Sequence, residues 1–285
     1  MYDLKALQHK ELEILLAIHD ACEKLGIEYM IHFGTLIGAV RHKGFIPWDD
    51  DIDIVMMLPN YDRFIKEAPA VLPANLMIQY YSTDPNCPNI FAKVRDKNTT
   101  FLHKEHIDLD ICHGVFIDIF PITRLPEGRK YNKREKRKRY RFDLINGCLD
   151  IGYVKATYTG KKLFIGKLIN FWFTKTPFKI RNRAKFIAKE ESRKRKLDAI
   201  GGNNSYNGPF ELYTERALYD FEGYKLWGPK DFDGALRYEY RDYMTIPPKE
   251  KQVTHQPLFV DLDHGYSMAE IHELIREGKI KFESP

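Results

Sequence analysis

The sequence predicts an α+β chain in which a mixed sheet is flanked by helices and interrupted by a basic helical insertion. Three observations carry that expectation. Residues 4–25, "LKALQHKELEILLAIHDACEKL", repeat apolar residues at helical spacing until Gly26 ends the pattern. Short runs at "DDIDIVMML", "LMIQYYS", "NIFAKVRD" and "GVFIDIFPI" are bounded by Pro, Asn, Asp or Gly, as strands are. After Pro126 the character shifts to a dense basic run, "EGRKYNKREKRKRYR".

In chain order, "IEYMIHFGTLIGAVRHKGF" reads as a short strand, a Gly-Thr turn and an apolar stretch ending at Arg41, His42 and Lys43. "NYDRFIKEAPAVL" reads as a short helix with Asn60 as its N-cap. Residues 127–200 form the insertion, and residues 201–209, "GGNNSYNGP", a loop. The tail closes on the helical pattern "SMAEIHELIREG". The organisation expected is a catalytic core over 1–126, the basic, aromatic-rich insertion over 127–200, and a C-terminal part, 201–285, that completes core and substrate site.

With 44% hydrophobic and 30% charged residues the chain is globular, not disordered. Its net charge of +5 suits an anionic partner without naming one. Cys22, Cys87, Cys112 and Cys148 form no CxxC pair, and the start lacks a basic segment followed by an unbroken apolar one. Reduced thiols in a cytoplasmic protein are therefore expected. No apolar run approaches the ~18 residues that span a bilayer, so the chain is expected to be soluble or to lie on a membrane, at its inner face.

"IPWDDDIDIVM" crowds four aspartates into five positions between apolar neighbours. On a strand, Asp51 and Asp53 would share one face while Ile52 and Ile54 enter the core. Two carboxylates so placed repel, and a divalent cation resolves the conflict. Mg²⁺, with Mn²⁺ able to replace it, is the hard ion held by one or two carboxylates plus substrate phosphates. An acidic turn capping a strand is the plainer alternative, but Trp48 and "IDIVM" argue against a fully solvated loop. In "GVFIDIFPI", Asp118 is a lone carboxylate inside an apolar strand, costly unless it is paired with an arginine or binds metal. If the two strands are neighbours, Asp118 completes a three-carboxylate set suited to phosphoryl transfer. "FGTLIGAVRH" adds Gly34, which lets backbone approach a ligand, and Thr35, which offers a hydroxyl and an N–H. A Gly-Thr turn, a D-x-D strand and a later Asp strand form the layout of a nucleotidyltransferase-type fold.

At that point the match narrows. "GTLIGAVRHKGFIPWDDDIDI" resembles the signature of the LicD family, which includes bacterial phosphocholine transferases and the fukutin-related group. "FAKVRDKNTTF", "GVFIDIFPI" and "GYKLWGPKDFDGALRYEYRDYMTIPP", followed by His255, are similar to its later blocks. The resemblance covers residues 10–125 and 210–257. It implies transfer of a phosphorylated alcohol from a CDP-linked donor to a glycan hydroxyl, with release of CMP. Carried over by position, Asp51, Asp53 and Asp118 are metal ligands and catalytic residues, Asp118 alternatively being the base for the acceptor proton. Asp49 and Asp50 orient the site, or Asp49 itself reaches a metal. Gly34, Thr35, Arg41, His42, Trp48 and Lys93 are the substrate-binding candidates, with Arg41, His42 and Lys93 assigned to donor phosphates.

Other signals are weaker. Trp227, Tyr238, Tyr240 and Tyr243 invite a choline cage, although most aromatics are core. His103, His106, Cys112 and His113 lack structural-zinc spacing, and "IDLDI" between them reads as a strand. "LFIGKLINFWF", flanked by lysines, has the residues of an interfacial helix and fits peripheral contact with an anionic membrane that carries a lipid-linked glycan acceptor. Two rivals remain: a nucleotidyltransferase that moves an NMP and releases pyrophosphate, and a non-catalytic nucleic-acid-binding protein built on the basic run. The second leaves the aspartates unexplained, so no nucleic acid is expected. A glycosidase fails on layout, because its two carboxylates flank the scissile bond from opposite sides.

Overall fold

The computed structural model describes residues 2–122, 133–149, 154–155, 157–175, 185–189 and 210–281. The loop expected over 201–209 lies outside them. Helix α1 (Leu4–Leu25) starts where the Asp3 carboxylate accepts the N–H of Lys5 and Ala6, and it stops at Gly26, whose φ of 59° suits a residue without a Cβ. Its inner face carries Leu7, Ile14, Leu15, Ile18 and Cys22. The same face buries Gln8 and Glu11, two polar residues with no place in an ordinary core stripe.

The main sheet runs β1 (Met30–Ile31), β2 (Asp53–Met57), β6 (Phe116–Ile122), β4 (Ala92–Asp96), β3 (Leu76–Gln79). Only β2 and β6 are parallel, and the other pairs are antiparallel. The two parallel strands are central, which is why "IVM" and "FIDIF" read as near-continuous apolar runs. Ile54, Ile117 and Ile119 are fully buried, each contributing about 1.5–3 kcal/mol relative to exposure. Strand β5 (Thr100–Leu102) leaves this sheet and pairs with β9 (Phe259–Asp261) from the far end of the chain. Strands β7 (Arg216–Phe221) and β8 (Tyr224–Pro229) form a hairpin whose two turn residues, Glu222 and Gly223, both have positive φ.

The Gly-Thr segment is not a turn. It is the first turn of helix α2 (Phe33–His42), which follows β1 directly. The next helix, α3 (Leu58–Glu67), begins before Asn60; its N-cap is Met57, and the proline just inside it pre-sets the helical φ. The "IDLDI" stretch, 107–111, forms turns and no strand. In the insertion, α4 (Lys133–Cys148) buries Phe142, Ile145 and Cys148 along one face, and α5 (Gly160–Lys175) packs on it. Helices α6 (Phe232–Tyr240) and α7 (Met268–Arg276) complete the C-terminal part; Ser267 and Glu270 form a capping box on α7.

Two buried imidazoles give the fold an acid sensitivity. Burial pushes His113 down to about 4 and His32 down to about 3. Unfolded imidazoles titrate near ~6.5, so below that pH the unfolded chain binds protons that the folded one refuses. These groups therefore cost stability as pH falls, His113 down to about 4, at about 1.4 kcal/mol per pH unit each. The variant His113→Gln should lose less denaturation midpoint than the wild type between about pH 7 and about pH 5. Equal losses would show that His113 takes its proton in the fold.

Candidate active site

The site is built around the segment that joins α2 to β2. Gln8 of α1 donates to the carbonyls of Asp49 (2.8 Å) and Ile46 (3.3 Å), so α1 fixes the aspartate loop from beneath. Thr35 is buried, and its hydroxyl oxygen accepts the N–H of Asp53 at 2.8 Å. The N–H of Asp118 donates to Ile52 O at 3.0 Å. Asp51 itself lies just before β2, which begins at Asp53.

Strand register then sets a level polar row across the sheet. Asp53 is paired with Asp118, Asp118 with Lys93, and Lys93 with Gln79. Directly opposed residues share a face, so four strands present Gln79, Lys93, Asp118 and Asp53 side by side. Lys93 Nζ stands 2.5 Å from Asp118 Oδ1 and 3.5 Å from the centre of the Phe116 ring. Burial lowers its pKa while Asp118 opposes that shift. Arg95, fully buried two residues on, donates to Gln79 Oε1 and to Gly114 O. The sheet thus holds Asp118 as one member of an ion pair, which removes the cost of a lone buried carboxylate.

Glycine 34 has a specific job. A Cβ there would stand 2.7 Å from Asp49 Oδ2. The missing side chain makes room for the Asp49 carboxylate, where the sequence had suggested room for a ligand. Arg41 donates to Tyr243 O at 2.8 Å and to His42 Nε2 at 2.9 Å, so both basic residues sit at the joint between α2 and the C-terminal part. Trp48 is half-buried against the main core.

Electrostatics in the loop are those of crowded acids. Burial, then Asp51 and Asp50, push Asp49 up to about 7. Asp51 is raised by burial, with His255 pulling it back, and Asp53 is raised far above an ordinary aspartate by burial, Asp51 and Asp118. Glu11, buried on α1 with Oε2 lacking a hydrogen-bond partner, is also raised far by burial and then by the charges of Asp51, Asp50 and Asp49. Among the described residues, no three His, Cys, Asp or Glu side chains stand arranged to hold a metal ion. The donor set nonetheless fits one: its oxygens are all carboxylate, and they are crowded until they bind protons in place of a cation.

Two further members join the site: Asp50, expected from the sequence only to orient it, and His255, which had no assigned role. Asp50 is buried and accepts the His255 backbone N–H at 2.9 and 3.1 Å, His255 Nδ1 at 2.9 Å and the Tyr2 hydroxyl at 3.1 Å. The Asp50 hydrogen bond, the largest cause, raises the His255 imidazole to about 9, and its Nε2 lies 3.7 Å from Asp51 Oδ2. The only signal for His255 was its place after the C-terminal block. Asp50→Ala, which strands these donors, should cost about 2–4 kcal/mol, read as a lower denaturation midpoint. An unchanged midpoint would remove the clasp.

The aromatic candidates divide. Trp227 Nε1 donates to Glu23 on α1 at 2.9 Å, and the Tyr243 hydroxyl donates to Asp233 at 2.7 Å. Tyr240 is raised by burial and then by Asp53, with Asp49 and Asp51 also acting on it, so it borders the carboxylates.

Residues 26–125, the stretch that carries β1, α2, the aspartate loop and the polar row, match the LicD/FKTN/FKRP nucleotidyltransferase domain. Over 260 residues the chain is 30% identical to the lipopolysaccharide cholinephosphotransferase LicD of Haemophilus influenzae, covering 86% of this chain and 92% of that protein. Shorter stretches match uncharacterized proteins of Rickettsia prowazekii, 49% over 84 residues (28% of this chain, 32% of that one), and Rickettsia typhi, 35% over 94 residues (31% and 30%). The fold is thus α+β and nucleotidyltransferase-like. A match over nearly the whole of both chains, with Asp49–Asp53, Lys93 and Asp118 inside the matched domain, makes this protein a member of the LicD family and a transferase.

Proposed function

We propose that this transferase moves phosphocholine from CDP-choline to a sugar hydroxyl of a lipopolysaccharide-type glycan and releases CMP. The observation that carries the reading is the row Lys93–Asp118–Asp53 beside the Asp49–Asp51 loop. The relative named for lipopolysaccharide and phosphocholine supports the substrate pair. Asp51, Asp53 and Asp118 are the residues that would hold Mg²⁺, which when bound would neutralise the donor's diphosphate. Lys93 pairs with Asp118 and aims it along the sheet. Arg41 at the end of α2 faces the donor phosphates with positive charge, and His42, neutral as the acceptor of the Arg41 Nε–H, holds that guanidinium in place. The acceptor oxygen attacks the choline-bearing phosphorus, the P–O bond to CMP breaks, and CMP leaves with the electron pair. Asp49, beside the Asp51 that would hold the cation, takes the hydroxyl proton. His255 and Asp50 hold Asp51 in place from the far side.

The test is a product assay with Mg²⁺, CDP-choline and lipopolysaccharide lacking phosphocholine. CMP release matched by phosphocholine on the glycan is the expected result, and parallel tubes with CDP-ribitol and CDP-glycerol identify the alcohol. Pyrophosphate from CTP, with no CMP from any CDP-alcohol, would assign NMP transfer to the same residues.

A further inference from the structure

Helix α5 presents two unlike sides. On one, Gly166 is packed so closely that a Cβ would stand 2.8 Å from Val154 and 3.0 Å from the Tyr158 ring. Asn170, one turn further on, donates to Cys148 O at 2.8 Å and Leu149 O at 3.3 Å at the end of α4. That side is docked. On the other, Phe164, Ile165, Leu168, Phe171 and Trp172 are each more than half exposed. Their spacing of one, four, seven and eight residues gathers them on a single helix face. Five large apolar side chains together in water are a surface meant to be covered.

Charge chooses the cover. Helix α5 contains no acidic residue, and Lys161, Lys162 and Lys167 are exposed around the apolar face. On α4, Lys133, Arg134, Arg137, Lys138 and Arg141 are exposed as well. Residues 127–200 hold 23 Lys and Arg against 7 Asp and Glu, a net +16 in a chain of net +5, so the remainder is acidic by 11. A second copy of this insertion would bring like charge to like. Among the described residues no helix is long and apolar enough to cross a membrane. An apolar face in a basic collar lies in the interface of a bilayer instead, its rings among the acyl chains and its lysines at the headgroups.

We propose that the outer face of α5, with the basic surface of α4 beside it, docks the protein on an anionic lipid bilayer. The contact stands apart from the transfer reaction and does not depend on the reading of the active site. Asn146 on α4 donates to Pro88 O at 3.0 Å, so the docking helices are tied to the core at the loop that leads into β4 and Lys93.

Flotation of the whole protein with phosphatidylglycerol–phosphatidylethanolamine vesicles tests the proposal, with phosphatidylcholine vesicles as the uncharged control. The protein should float with the anionic vesicles only, and salt should weaken it. The double variant Phe164→Ser/Phe171→Ser should bind about tenfold or more weakly, and Lys161→Gln/Lys162→Gln/Lys167→Gln should lose the preference for anionic lipid. Both sets change exposed positions, and circular dichroism confirms that they fold. Protein that stays at the bottom with anionic vesicles, or a Phe double variant that floats as well as wild type, would overturn the proposal. So would a wild-type dimer that the Phe variant splits without any vesicle binding, which would give the face to a second copy.

Discussion

Asp53→Asn should lose about a thousandfold in transfer rate and yet unfold at a higher temperature than the wild type in EDTA. Both effects come from one arrangement. Asp53 faces Asp118 across the parallel pair and has Asp51 and Asp49 as neighbours, and burial plus these charges raise its carboxyl far above an ordinary aspartate. Removing one charge relieves about 1 kcal/mol of repulsion, a rise of about 2–4 °C. It also removes an oxygen that the proposed cation would use, so Mg²⁺ should raise the wild-type midpoint and leave the variant's unmoved. The pH dependence has a definite sign. Asp49 is raised to about 7, so its contribution to folding is full below about 4 and lost as pH rises through about 7. In EDTA, Asp49→Asn should therefore gain on the wild type as pH rises through that window. A Mg²⁺ response in Asp53→Asn equal to the wild type's would move the cation elsewhere.

The second large effect separates two glycines four residues apart on α2. A Cβ at Gly38 would collide with the carbonyl oxygen of Gly44 and stand 3.2 Å from Ile46 N. Both are backbone atoms of the segment that feeds the aspartate loop, and neither can turn aside. Gly38→Ala should cost about 3–5 kcal/mol or fail to fold, a drop of about 6–20 °C. At Gly34 the obstacle is only the carboxylate end of Asp49, which can rotate away. Gly34→Ala should keep the wild-type midpoint, helped slightly by better helix propensity, and lose most activity because Asp49 has moved. Thermal unfolding and CMP release on the two variants decide the matter. A stable, fully active Gly38→Ala would mean that α2 and the 44–46 segment do not touch as described.

These two glycines also mark where sequence reasoning worked and where it failed. The strands around Asp53 and Asp118 were legible because buried central strands are apolar throughout, and an aspartate inside one stands out. Helix α2 was not legible: "FGTLIGAVRH" holds two glycines and three β-branched residues, all poorer helix formers than alanine or leucine. Only the packing explains them, since both are needed for close approach, Gly34 to Asp49 and Gly38 to the Gly44 carbonyl. Asn60 was a sound N-cap by residue type, but the proline before it starts the helix earlier. The clasp of Asp50 by His255 spans 205 residues, and no periodicity reaches that far.

That span sets an order of events during synthesis. Asp50 leaves the ribosome 205 residues before its partner His255, and β9, which completes the pairing with β5, follows His255. Closing so long a loop is slow, and nothing local substitutes for it. A nascent or C-terminally truncated chain therefore carries its aspartates without the clasp that seats them. The seated site exists only once His255 has been made, so a molecule that stops short of it lacks the clasp on Asp50.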